Sequence, residues 1–124
     1  AAPGKYQAGL EHVFGAMRSH PDLVAGPGSI DTVLMEKVPG LLAKRGADGY
    51  YGIALRESKW GPVGITLKVE DGDQTAREPA VIRLLELLGA VSKEEPLEWR
   101  DPPVKNVRGL EVGHLEAKLE LTWV

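Results

Sequence analysis

The chain has 124 residues, one domain's worth, with a net charge of -3. Charges of both signs are interspersed, so the sequence lacks the basic footprint of a nucleic-acid binder and the apolar run of a bilayer-spanning segment. It contains no cysteine, which excludes disulfides, thiolate zinc sites and a cysteine nucleophile within the chain and fits a cytoplasmic protein.

Apolar residues Tyr6, Leu10, Val13, Phe14 and Met17 line one face of a helix predicted over 5–20. Pro21 closes it, because the residue before a proline avoids helical geometry, and "PDLVAGPGS" then reads as a loop. Ser29 is a predicted N-cap with Asp31 in the first turn, opening a helix over 29–38 that Pro39-Gly40 stops.

Three strands are expected within 41–71. Leu41 to Lys44 and Tyr50 to Arg56 flank the turn-rich "RGADG", a hairpin signature, and Gly61 to Asp71 alternates apolar with polar residues. A helix follows over 76–89, with Pro79 expected in its first turn and Gly89 at its end. Beyond a proline-rich connection, 104–124 reads as strand or strands, because Leu115, Ala117, Leu119, Leu121 and Trp123 alternate strictly with polar residues. Short links between the three central strands favour an antiparallel meander covered by helices, an α+β class.

Most of the chemically capable side chains have ordinary explanations. His12, His20 and His114 are far apart and have no metal-ligand spacing; Glu70, Asp71 and Asp73 sit in a turn whose spacing is not that of a calcium loop. No metal or cofactor is expected. The four serines fall in neither Gly-x-Ser-x-Gly nor Ser-x-x-Lys, so no hydrolase nucleophile is visible in this chain. What stands out is Lys44, a cation at a strand end among four glycines between Gly40 and Gly52. Beside an exposed backbone N–H it could bind a carboxylate or stabilise an oxyanion; equally, Lys44 and Arg45 could be solvated strand-end residues beside glycines that only serve the turn.

The ordered blocks "AMRSHPDLVAGPGSIDTVLM", "AKRGADGYYGIAL", "GITLKVEDGDQTAREPA" and "LLELLGA" resemble the C-terminal part of the bacterial L-asparaginase II family, whose fold is like that of serine β-lactamases. The similarity runs from about Ala16 to Gly89 and extends into "PVKNVRGLEVG". It implies hydrolysis of asparagine, or a similar small amide, to the acid and ammonia. It also implies that the Ser-x-x-Lys nucleophile lies outside this chain, in an N-terminal part of the same enzyme or in a second subunit.

Lys44-Arg45-Gly46 would then correspond to the Lys-Thr-Gly strand of β-lactamases. On that correspondence Lys44 sets the electrostatics, the N–H of Ala47 donates to the oxyanion, and Arg45, Gly46 and Asp48 contact substrate, with Gly46 leaving room along the strand. Arg45 leaves the hydroxyl of that triad without a counterpart. Some relatives bind zinc through cysteines, one of which falls where this chain has Asp31; a lone carboxylate does not make a zinc site. Two alternatives are another serine amidohydrolase or peptidase of the same fold, such as a glutaminase or D-amino-peptide hydrolase, and a non-enzymatic binding domain in which Lys44 is structural.

Overall fold

A computed structural model describes residues 4–124. Helices α1 (Gln7–Ser19), α2 (Pro21–Ala25) and α3 (Ile30–Lys37) precede strands β1 (Leu41–Arg45), β2 (Tyr50–Leu55) and β3 (Val63–Lys68). Helix α4 (Gln74–Leu87) and a hairpin of β4 (Pro103–Lys105) and β5 (Glu111–His114) follow. Among the described residues no helix is long and apolar enough to cross a membrane.

The three central strands form an antiparallel sheet in the order β1-β2-β3, and the class is α+β. The register sets Arg45 opposite Tyr51 and Tyr51 opposite Leu67, with Lys44, Gly52 and Thr66 in the neighbouring row. Successive residues of a strand face opposite sides, so the sheet has two unlike faces. The inner face carries Leu41, Ala43, Tyr51, Ile53 and Leu55, all buried against Ile30, Leu34 and Met35 of α3 and Val81, Ile82 and Leu85 of α4. The outer face carries Leu42, Lys44, Tyr50, Gly52, Ala54, Gly64 and Thr66; α3 and α4 pack on the inner side, and among the described residues this row is left open as a depression.

Local chemistry explains most element ends. Ser29 caps α3, its Oγ accepting the N–H of Thr32 at 3.4 Å. Residues 21–25 form a helix rather than the expected loop: Pro21 sits at the first helical position, where a missing N–H costs nothing and the fixed φ suits a helix start. Gly26, with φ 89°, ends it. Helix α4 begins at Gln74, two residues before the expected start, because Asp73 accepts the Thr75 N–H at 2.8 Å. Pro79 therefore lies inside that helix and not in its first turn.

The last stretch departs furthest from expectation. Residues 115–124 belong to no strand, although Leu115, Ala117 and Leu119 are half-buried and Glu116, Lys118 and Glu120 exposed. The alternation gives the two faces of an extended segment, but a strand needs a partner ladder, and among the described residues only the Leu115 N–H makes a backbone bond, to Pro102. The tail ends with Trp123 against Trp60, ring centroids 5.0 Å apart.

Candidate functional site

The β1–β2 connection turns on two left-handed residues, Asp48 (φ 55°) and Gly49 (φ 73°), with the Tyr50 N–H donating to the Ala47 carbonyl at 3.2 Å. That is the I′ geometry that matches strand twist in a hairpin. A second bond, from Gly46 N–H to the Tyr50 carbonyl at 2.9 Å, closes the strand end. Between them the N–H of Ala47 donates to no acceptor among the described residues. The turn is held from its tip. Lys68 Nζ binds the Asp48 carbonyl, lies 3.2 Å from its carboxylate, and donates to the Val69 carbonyl at 2.8 Å.

Lys44 stands on the outer face, exposed, with its Nζ donating to the Arg45 carbonyl at 2.7 Å. It lines an open depression of about 480 Å³ together with Leu42, Tyr50, Gly52, Ala54 and Thr66. That volume lies within the range of small-ligand sites. The ring of Tyr50 lies across the strand end: a β-carbon on Gly46 would come 2.8 Å from its Cδ1, and one on Gly52 would lie 3.7 Å from its hydroxyl. The space above Gly46, expected to serve substrate, is thus filled by an aromatic wall.

The inner side of the same strand end is polar. Asp31, fully buried, accepts the Tyr51 hydroxyl on one carboxylate oxygen at 2.6 Å and the Arg45 N–H on the other at 3.0 Å. Arg77, also buried, donates from Nη1 to the Gly46 carbonyl at 3.3 Å. Its Nε and Nη2 have no hydrogen-bond partner; Glu78 lies 3.7 Å from Nη2, an ion-pair separation too long for a hydrogen bond. Burial, reinforced by Asp31, pushes the Tyr51 hydroxyl far above its ordinary value and keeps it a donor. Burial also raises the Glu78 carboxyl, against the pull of Arg77 and Arg45.

The expected site residues are therefore placed differently from one another. Lys44 shares the outer depression with the backbone of Gly46, and Ala47 follows with an unused N–H. The Arg45 side chain turns away, donating to the Ala25 carbonyl at 2.8 Å with Nε 3.9 Å from Asp31. The Asp48 carboxylate is engaged by Lys68. Both Asp31 oxygens are occupied by protein donors, and among the described residues no group of three His, Asp or Glu side chains could hold a metal ion. Tyr50, Tyr51 and Arg77 escaped the sequence reading. Only Tyr50 left a signal, an aromatic residue with a glycine four positions before it and another two positions after it.

The chain is an α+β domain that presents Lys44 at the end of β1 and, three residues later, an Ala47 N–H with no acceptor among the described residues. The family model for L-asparaginase II matches residues 1–117. The chain belongs to that family, and membership supports an asparaginase-like amidohydrolase function. No curated protein matches it.

Proposed function

We propose that this chain is the C-terminal portion of an L-asparaginase II-type amidohydrolase with a serine β-lactamase-like fold. Its share of the active site is the end of β1. The observation that supports this most directly is that Lys44 stands on an open sheet face and is followed, three residues later, by an Ala47 N–H with no acceptor among the described residues.

In the reaction the side-chain amide of asparagine is attacked by a hydroxyl from polypeptide outside this chain. The C–N bond breaks, ammonia leaves, and water releases aspartate. The Ala47 N–H donates to the oxygen on which negative charge grows, and the Lys44 ammonium stabilises negative charge close by. A donor already in position needs no reorganisation when that charge appears, and loss of one typically raises the barrier by about 2.7–4 kcal/mol. The substrate is asparagine or a similar small amide; the partner is the N-terminal part of the same enzyme or a second subunit; no cofactor is invoked. A cysteine-free enzyme of this kind suits the cytoplasm.

The test is Lys44→Met in the enzyme that contains this chain. The value of kcat should fall by about 10²-fold or more, the scale set by oxyanion-stabilising groups. Because Lys44 is exposed, Tm should stay near wild type. Unchanged turnover would reject the role. Assaying asparagine, glutamine and D-amino-acid peptides side by side separates asparaginase from its nearest alternatives.

A further inference from the structure

We propose that Arg77 and Asp31 are positioning residues: from the buried side of the sheet they hold the peptide groups on either side of Arg45-Gly46, and so aim the Ala47 N–H at the outer depression. This rests on the assignment of that depression as the asparaginase site. Among the described residues three polar or charged ones are buried, Asp31, Thr32 and Arg77. Thr32 is occupied by Ser29, Pro21 and Gly26 at the start of α3. The other two come from different helices and converge on one short piece of backbone.

Peptide planarity turns this convergence into direction. The Gly46 carbonyl and the Ala47 N–H belong to one planar trans group and point opposite ways. Arg77 draws the carbonyl inward at 3.3 Å, so the N–H is directed outward, where it has no acceptor among the described residues. The Lys44–Arg45 peptide is fixed in the same manner. Its N–H is drawn to Asp31 at 3.0 Å, and Asp31 is itself held by the Tyr51 hydroxyl at 2.6 Å. Two consecutive constraints leave the intervening backbone little freedom to rotate.

Stability alone does not explain Arg77. Burying a charge is costly, and a whole buried ion pair can often be replaced by apolar side chains without loss, so burial of a guanidinium is weak evidence of a stabilising role. Here two of the three guanidinium nitrogens go without a hydrogen bond. The third reaches the peptide on which the proposed oxyanion donor sits. A residue that is poorly satisfied yet aimed at the site fits a geometric role.

Two measurements test this. In this chain, 15N-resolved hydrogen exchange and chemical shift report the Ala47 and Arg45 amides; in the enzyme that contains it, kinetics report kcat and KM. Arg77→Met keeps the length and removes every donor. It should shift the Ala47 amide and lower kcat by about tenfold, with KM within about twofold, the pattern of an interaction that matters in the transition state. Arg77→Lys, which can still reach the carbonyl with one donor, should restore most of both. Should Arg77→Met not fold, Tyr51→Phe takes its place: it keeps the ring, frees Asp31, and should shift the Arg45 amide and lower kcat at least about threefold. Wild-type amide signals and kcat in the variant that folds would overturn the inference, as would a fall in Tm with kcat retained. The two readings separate cleanly. If Lys44→Met abolishes turnover while Arg77→Met leaves kcat and the Ala47 amide untouched, the positioning role fails alone; if Lys44→Met is fully active, the site assignment beneath it fails.

Discussion

A β-carbon on Gly46 would lie 2.8 Å from Tyr50 Cδ1, and one on Gly49 would lie 2.9 Å from Val69 Cβ and 3.1 Å from Gly72 Cα. The two glycines are required for different reasons, and mutagenesis can tell them apart. Gly46 does not have positive φ, so its obstacle is a side chain that can move. Gly49 has φ 73° and is packed against backbone that cannot move. Gly46→Ala should cost about 1–3 kcal/mol, the usual range for overpacking, and Tyr50→Ala should recover most of that loss. A denaturant-based double-mutant cycle measures the coupling. Gly49→Ala should cost more and should not be rescued by Tyr50→Ala. Additive effects of Gly46→Ala and Tyr50→Ala would show that the ring does not dictate the glycine. The sequence displays the glycines and the tyrosine plainly, but not which of the two glycine effects, turn or packing, applies at each position.

Helix α4 carries two carboxylates whose burdens have opposite signs. Asp73, at the cap, is held below the ordinary carboxylate range by the Thr75 N–H and hydroxyl. Its contribution is present above the unfolded-state value and is lost as pH falls through the depressed folded value. Glu78, one turn in, is raised by burial. Its contribution is present below the unfolded-state value and is lost as pH rises through the folded one, because the folded state binds the extra proton. Glu78→Gln, which mimics the protonated form, should therefore be more stable than the native chain at pH 8 and lose that advantage toward pH 4. Urea melts at the two values check this, and an advantage that grows toward acid would reverse the sign.

Much of this element level is legible beforehand, since caps, turns and the meander are local signals: Ser29 before an apolar run, Asp48-Gly49 between two strands. Two errors have the same root. Pro21 reads as a stop and is also a start, and the alternation of 115–124 reports a face without reporting a ladder. The inner half of the site is illegible for another reason. Asp31 meets Tyr51 across 20 positions and Arg77 meets Gly46 across 31, and no short-range pattern encodes such pairs.

On the scale of the whole molecule, the core accounts for one face of the sheet only. Helix α1 buries none of its residues; Leu10 and Val13 are 65% and 55% exposed. The helix is moored by polar contacts instead, Arg18 to the Val38 and Leu41 carbonyls and Glu11 to Arg56. A groove runs from Leu10 and Phe14 of α1 to Ala54 and Gly64, and those two residues also line the depression beside Lys44. The apolar stripe of α1 and the uncovered sheet face are therefore one continuous surface. Strand β3 closes the sheet with an edge that pairs with no strand among the described residues. Apolar surface next to an open edge favours association, and the proposed function supplies the occupant, the polypeptide that brings the attacking hydroxyl.

Gly64 is the position from which to test this, because a β-carbon there meets nothing within 4 Å and its φ is not positive. Gly64→Lys adds a charged side chain to the middle of the surface without disturbing the core. The chain should self-associate as its concentration rises, or bind the N-terminal part of the enzyme when that is supplied, and Gly64→Lys should weaken both while leaving Tm near its native value. Analytical ultracentrifugation reads the first and titration of the two polypeptides the second. A chain that stays monomeric at every concentration, and a variant that binds the N-terminal part as tightly as the native chain, would mean that this face of the sheet is simply solvated and that the attacking group enters the site from another direction.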